Sequence, residues 1–195
     1  MARTTVLARP EPVRPRTLVV ASLFGTGAAV MVFLGLMAVY VQRRAAALDA
    51  GREWYPEGVI ELGPAGIMMT TLVFSSFTAQ WAVQAVKNDD RPHGYVALGL
   101  TALFGAAVLN QFWFVYQDTA FTIDGSEAQL LFYVITGTFL VMLIAAMVFV
   151  AVTTLKALAG QFTRHNADAV VAAVVYWQAV VLMYGIVWYV IFITK

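Results

Sequence analysis

The stretch PAGIMMTTLVFSSFTAQWAVQAV, from Pro64 to Val86, decides the fold of this chain. It carries no charge, and it is long enough to cross a bilayer as an α-helix, which takes about 20 residues. Ser76, Gln80 and Gln84 recur along it at i, i+4 and i+8, so they fall on one helical face. Because a polar stripe is costly against lipid, we expect this face to pack against other helices. The stretch is therefore predicted to be the central helix of a bundle.

The composition is that of a membrane protein. Hydrophobic residues make up 61% of the 195 residues and charged residues 12%, whereas a soluble domain has roughly 45–50% apolar and about 25% charged residues. The chain has no cysteine, which excludes a disulfide framework, a cysteine-ligated metal and an iron–sulfur cluster. A net charge of +1 provides no electrostatic footprint for nucleic acid, so nucleic acid is not an expected partner.

Four further apolar runs accompany the first one, and together they predict an all-α membrane protein built as a five-helix transmembrane bundle. An Arg- and Pro-rich tail, residues 1–16, precedes a single transmembrane domain, residues 17–195. The predicted spans are 17–41, 64–86, 95–116, 128–155 and 169–194.

Lys and Arg are unevenly divided between the two ends of the predicted bundle. Eight lie in the tail, the turn 87–94 and the loop 156–168, and four lie in the two other loops and at Lys195. The side richer in Lys and Arg is normally cytoplasmic. We therefore expect a cytoplasmic tail, an N-terminus inside and a C-terminus outside.

Groups that could carry chemistry are scarce within the spans. Every Asp, Glu, Lys and Arg lies in the tail, in a loop or at a span boundary, so no intramembrane charge marks a proton or ion path. His93 and His165 fall in predicted loops, which excludes a haem or copper held by histidines between the helices. We predict no catalytic, cofactor-binding or metal-binding residue in this chain.

Polar uncharged side chains remain within the spans. They could line a path or hold a lipid headgroup, but helix–helix hydrogen bonds, worth about 0.6–2 kcal/mol each, are the favoured interpretation. The residues predicted to make such contacts are Ser76, Gln80, Gln84, Asn110, Gln111 and Gln178.

Five short motifs follow one another in an order that resembles subunit III of haem-copper cytochrome c oxidases, in the short five-helix form found in bacteria. The motifs are GLMAVY (35–40), SSFTAQ (75–80), LNQ (109–111), FYVITG (132–137) and YWQ (176–178). The resemblance covers about Thr17 to the end of the chain. It implies a subunit III-like fold and a non-catalytic role beside the catalytic subunit I and subunit II of such an oxidase, in aerobic respiratory electron transport. It also implies a prokaryotic plasma membrane, haem and copper in the partner subunits rather than in this chain, and membrane lipids held between the helices.

The chain departs from that family where the family carries ionisable groups within the membrane. Two glutamates, three histidines and one further acid of the family are replaced, in chain order, by Ala29, Phe114, Phe139, Met142, Gln178 and Val181. The resemblance therefore carries no role in proton supply to this chain.

Two alternatives stay open. A subunit III-like accessory protein of a nitric oxide reductase would share these features, because the reaction belongs to the partner. A small transporter or channel is the rival from another class, and the missing intramembrane charges and inverted repeat speak against it. A membrane enzyme in its own right lacks the acid–base groups that it would need.

Overall fold

The structure is a computed structural model, and it describes residues 17–55, 61–119, 121–122, 125–160 and 167–194. Within these ranges the regular elements are five α-helices: α1 (Thr17–Asp49), α2 (Leu62–Lys87), α3 (Arg91–Asp118), α4 (Glu127–Leu158) and α5 (Asp168–Val187), the last continued by a π-helical segment, Trp188–Ile193. Each is long and apolar enough to cross a membrane, which confirms the predicted all-α fold with five spans. The predicted tail, residues 1–16, lies outside the described residues.

Helix α1 continues well beyond the predicted span, from Val41 to Asp49. The added segment is rich in Ala, Arg and Leu, which are strong helix formers, so charge ends the apolar run without ending the helix. The helix ends at Gly51, whose φ of +68° favours glycine. The backbone N–H groups of Gly51 and Arg52 there bond to the carbonyls of Leu48 and Ala47, at 2.9 and 3.0 Å.

Helices α3 and α4 begin at side-chain caps. Asp90 accepts a bond from the His93 backbone N–H (3.4 Å), and Ser126 Oγ accepts one from the Gln129 N–H (3.3 Å). Such caps satisfy backbone donors that the first turn leaves free.

Only residues 88–90 separate α2 from α3, so these two helices are antiparallel neighbours. We call the end of the bundle where α1 begins its N-terminal end, and the opposite end, where α5 finishes, its C-terminal end. The short turn between α2 and α3 lies at the N-terminal end.

Helices α1 and α5 run parallel and in register. Ser22 Oγ donates to the Ala172 carbonyl at 2.9 Å, and Arg44 Nη1 donates to Thr194 Oγ1 at 3.0 Å. The partners in both pairs are 150 positions apart, so one register holds from one end of the bundle to the other.

The central helix is α5, and the prediction that α2 would occupy that place is wrong. Helix α5 packs against α1, α2 and α4, and it buries residues around most of its circumference. A helix that is apolar all round is suited to such a position. Helix α2 packs on α3 and α5 and leaves one face exposed, which includes Ile67, Phe74, Phe77 and Trp81.

Candidate functional site

Two adjacent residues of α2 bond to two adjacent residues of α5, and we call these four the α2–α5 polar network: Ser75, Ser76, Trp177 and Gln178. Trp177 Nε1 donates to Ser75 Oγ at 2.9 Å, and both side chains are fully buried. Ser76 Oγ donates to Gln178 Oε1 at 2.5 Å, and Gln178 Nε2 donates to the Ser76 carbonyl at 3.2 Å. Neither lipid nor water competes for the buried indole N–H, and its bond, together with the two half-buried bonds between Ser76 and Gln178, holds α2 on the central helix.

A glycine brings α3 close to the same network. A Cβ added at Gly105 would lie 2.8 Å from Trp177 Cη2 and 3.0 Å from Met147 Cγ. Real Cβ atoms do not approach other atoms so closely, and therefore only glycine lets α3 pack against the indole ring at this level. The Trp177 ring thus lies between α2 and α3 and holds both against α5.

The structure brings together two of the six polar residues singled out from the sequence, Ser76 and Gln178. The other four make no side-chain hydrogen bond within the described residues: Gln80, Gln84 and Asn110 are exposed and Gln111 is half-buried. The cause is helix geometry, because four residues turn an α-helix by about 400°, which is about 40° more than one full turn. The stripe that faces α5 at Ser76 has therefore wound to the outside of the bundle by Gln84.

Five of the six positions where the resembling family places ionisable groups are filled by apolar side chains; three of these are buried in the core, whereas Phe114 is exposed. Phe139, Met142 and Val181 are buried. The Phe139 ring lies 5.2 Å from the Tyr184 ring and 5.6 Å from the Phe112 ring. Aromatic pairs at these distances stabilise a core beyond the area that they bury.

The remaining polar group of this aromatic core is satisfied. Tyr184 Oη donates to the Ala65 carbonyl on α2 at 3.0 Å. In the part of the chain that the structure describes, the buried polar or charged residues other than Tyr and Trp are four threonines and Ser75, and no three His, Asp or Glu side chains lie close enough to hold a metal ion. The arrangement is suited to holding helices together, and we see no acid–base pair in it.

The C-terminal end of the bundle is joined by contacts that the sequence did not predict. The Arg44 guanidinium bonds to both the hydroxyl and the carbonyl of Thr194, and Arg43 pairs with Glu127 at 3.4 Å. Trp54 packs edge-on to Tyr40, with ring centroids 5.6 Å apart. The sequence feature that could have predicted these contacts is the pair of adjacent arginines, because a cation at a helix end often binds carbonyl groups.

A groove of about 410 Å³ opens beside this contact region. It is lined by charged and aromatic side chains of the α1–α2 connection, Arg52, Glu53 and Trp54, and by the first turn of α4, including Glu127. Nearby, Tyr55 Oη donates to the Ala128 carbonyl at 3.4 Å, and burial raises the pKa of Tyr55. The groove therefore presents both signs of charge next to an indole ring.

At the N-terminal end, His93 lies in the first turn of α3 and is exposed. Its Nδ1 is 2.7 Å from Asp90 Oδ2, and the hydrogen bond to His93 holds the pKa of Asp90 below its usual value. The imidazole lies 5.8 Å from the Trp81 ring. This group ties the α2–α3 turn to both helices. His165, the other histidine, lies outside the described residues.

Known proteins similar to this chain include members of one family. A family model described as cytochrome c oxidase subunit III matches residues 18–195. The curated relatives named cytochrome c oxidase subunit 3 include one from Pelomedusa subrufa, 29% identical over 135 residues, which cover 68% of this chain and 52% of the relative. Another, from Strongylocentrotus purpuratus, is 26% identical over 173 residues, with coverages of 87% and 65%. One from Sus scrofa is 27% identical over 169 residues, with coverages of 85% and 63%. The chain thus spans between half and two thirds of the length of these relatives.

Proposed function

This chain belongs to the cytochrome c oxidase subunit III family, and on that premise we propose that it is a non-catalytic subunit of a haem-copper oxidase complex. In this proposal it packs beside the catalytic subunit I and subunit II, which carry the haem and copper, and it stabilises them during aerobic respiratory electron transport. The complex lies in a prokaryotic plasma membrane, with the N-terminus of this chain inside and its C-terminus outside.

The observation that carries the proposal is the extent of the family match. It begins at residue 18 and ends at residue 195, so it includes all five helices of the bundle rather than a single apolar segment. Matches between unrelated membrane proteins arise easily from apolar composition over one span. A match that follows the whole order of helices and loops is specific to the family.

The core supports a role in assembly rather than in proton transfer. Phe139 and Met142 fill the positions of two family histidines and are buried. Gln178, at the position of a third, is bound to Ser76. A proton path needs groups that take up and release protons, whereas these side chains pack or make fixed hydrogen bonds. The chain thus offers its partners a rigid helical surface.

Lipids are a further component of the proposal. The groove beside Trp54 is lined by Arg52 and Glu53, and it lies at the end of the bundle, where helices leave the apolar layer. A zwitterionic headgroup has a phosphate for the arginine and an ammonium for the carboxylate. An indole ring is also typical of the headgroup level. We propose that this groove holds a phospholipid headgroup.

Deletion of the gene and measurement of respiration in isolated membranes test the function. We expect the rate of oxygen consumption with a reduced cytochrome c donor to fall, to decay faster during turnover, and to recover when the wild-type gene is restored. A loss of nitric oxide reduction with normal oxygen consumption would instead assign the chain to a nitric oxide reductase. If both rates are unchanged and a solute flux is lost, the chain is a transporter and the proposal is wrong.

A further inference from the structure

The groove beside Trp54 meets an exposed apolar row of α4. Glu127 lines the groove, and Val134 and Val141 follow it at i+7 and i+14. Residues seven apart lie on nearly the same face of an α-helix, and both valines are exposed, at 38% and 68%. A molecule in the groove can therefore keep its charged part among the lining residues while hydrocarbon tails run along α4. This arrangement fits a lipid better than a soluble ligand.

The groove carries charges of both signs. Arg52 and Glu53 are exposed, and neither makes an ion pair with another described residue. Glu127 differs, because its carboxylate lies 3.4 Å from Arg43 Nε and is balanced by that arginine. One cation and one anion of the described lining are therefore left for a ligand. A headgroup with one cationic and one anionic group matches them, whereas a purely anionic headgroup brings a second negative charge close to Glu53.

The part of the groove that suits an anion is the start of α4. Ser126 Oγ accepts the Gln129 N–H at 3.3 Å, which leaves the hydroxyl hydrogen of Ser126 to donate to a ligand. Partial positive charge gathers at the N-terminus of a helix, and Arg52 adds a guanidinium to the same lining. A phosphate group accepts hydrogen bonds from donors of all three kinds.

The indole of Trp54 is not placed to bind a quaternary ammonium. Such cations bind over an open aromatic face, whereas Trp54 is only 8% exposed and packs against the rings of Tyr40 and Tyr55, with centroids 5.6 and 6.1 Å away. The groups that the lining offers to a cation are the carboxylates of Glu53 and Glu127. A primary ammonium donates three hydrogen bonds to such acceptors, whereas a trimethylammonium group has no N–H to donate.

We propose that the groove selects phospholipids whose headgroup ends in a primary ammonium, the phosphoethanolamine class. The phosphate lies between Arg52 and the first turn of α4, and the ammonium donates to Glu53 and Glu127. Choline lipids share the phosphate but lack the N–H donors, and glycerol lipids lack the cation. The groove is the lipid site of the proposed function, on which the inference rests, and the addition is the chemistry of the headgroup that it takes.

Native mass spectrometry of the purified full-length chain measures this selection. Phosphatidylethanolamine, phosphatidylcholine and phosphatidylglycerol with identical acyl chains are added in turn to the chain in mild detergent, and the bound fraction gives a dissociation constant for each. We expect phosphatidylethanolamine to bind at least about tenfold more tightly than the other two, because a hydrogen bond to a charged group contributes that factor or more. Equal dissociation constants for the three lipids would overturn the inference.

Substitutions assign the selection to the groove. Glu53→Gln should remove most of the preference by weakening the binding of phosphatidylethanolamine, with little change for phosphatidylcholine. Arg52→Gln should weaken both lipids alike, because both carry the phosphate. Asp118→Asn is the matched control, since this exposed carboxylate lies at the same end of the bundle and outside the lining of the groove. It should leave all three constants unchanged, and a full preference that survives Glu53→Gln would contradict the assignment.

A conservative variant separates a lost acceptor from a disturbed fold. Glu53→Asp keeps the carboxylate and should retain the preference for phosphatidylethanolamine. The melting temperatures of both variants should match that of the wild type, because Glu53 is exposed. If Glu53→Asp and Glu53→Gln lose the preference alike, the charge of the side chain is not what selects the lipid, and the inference is wrong.

The remaining outcomes separate the source of the headgroup and the two proposals. Glycerophosphoethanolamine has the same headgroup without acyl chains, and we expect that at equal concentration it does not displace the bound lipid; displacement would mean a soluble ligand and overturn the inference. If the wild type binds none of the three lipids, the lipid site of the proposed function fails, and the inference fails with it. If all three bind alike, that lipid site stands and the selection is wrong.

Discussion

The indole N–H of Trp177 on α5 donates a 2.9 Å hydrogen bond to Ser75 Oγ on α2, and neither side chain is exposed. The serine hydroxyl in turn donates to the Leu72 carbonyl of its own helix at 2.6 Å. A large apolar ring is thereby anchored at one polar atom, so that it packs in a single orientation between neighbouring helices. This contact therefore fixes the orientation in which α2 packs on α5.

The first prediction concerns that bond. Ser75→Ala leaves a buried indole N–H without its acceptor and should lower the free energy of unfolding by about 1–3 kcal/mol. A double-mutant cycle with Trp177→Phe should give a coupling energy of about 0.6–2 kcal/mol. Unfolding in mixed detergent, followed by circular dichroism, measures both quantities.

Thr70→Ala is the matched control for this cycle. Thr70 is exposed, and among the described residues its hydroxyl bonds only to the Gly66 carbonyl of its own helix, so Thr70→Ala should change stability by less than about 0.5 kcal/mol. A coupling energy of zero between Ser75 and Trp177 would show that the bond contributes nothing to the packing of α2 on α5.

The second prediction concerns Gly105, where the Trp177 ring lies against α3. Gly105→Ala should destabilise the chain, because relief of a 2.8 Å contact costs about 1–3 kcal/mol in a packed core. That cost outweighs the gain of up to about 1 kcal/mol in helix propensity. Gly137→Ala is the control, since nothing lies within 4 Å of a Cβ built there, and it should be neutral or stabilising. Equal melting temperatures for the two variants would contradict the close approach of α3 to Trp177.

The five helices could be predicted because each apolar run is long and ends at charged residues. The sequence did not show which face of each helix is buried. Ser76 and Gln80 share a stripe in the sequence, yet Ser76 bonds to Gln178 while Gln80 is exposed. Each step of four residues turns the helix by about 40° beyond a full turn, so a polar stripe alone does not say where it leaves the interface.

The central helix was misassigned for a related reason. A polar stripe within a span predicts a central position, whereas α5 owes its place to apolar side chains around most of its circumference. The bond between Ser75 and Trp177 also escaped prediction, because it joins residues 102 positions apart and depends on the packing of two helices. Gly105 and Met147, which confine the ring, are unremarkable in the sequence for the same reason.

The third prediction concerns pH at the α2–α3 turn. Hydrogen bonding to His93 lowers the pKa of Asp90 in the folded chain, so the stabilisation is fully present above the ordinary pKa of aspartate, about 3.9. It is lost as the pH falls through the lower, folded pKa. The protection of the His93 and Gly94 amides from hydrogen exchange, relative to the intrinsic rate at each pH, should therefore fall only below about pH 4. Asp90→Asn should show no such acid transition, and an unchanged transition in that variant would assign it to another group.

The fourth prediction concerns topology. An odd number of spans predicts that the two termini lie on opposite sides of the membrane, and the uneven distribution of Lys and Arg predicts that the N-terminus is inside. Reporter fusions at Met1 and Lys195 should be active only inside and only outside the cell, respectively. As a control, moving the reporter to the α2–α3 turn at Asn88 should return it to the inside. Reporters at both termini on one face would contradict the five-span arrangement.

The central claim is that this chain serves a haem-bearing complex without binding haem itself. The most direct measurement is the reduced-minus-oxidised haem spectrum of the tagged chain, purified first in mild detergent and then in a detergent that dissociates subunits. We expect a haem spectrum together with a second, haem-bearing polypeptide in the mild detergent, and a colourless chain after dissociation. Stoichiometric haem that stays with the lone chain would contradict it.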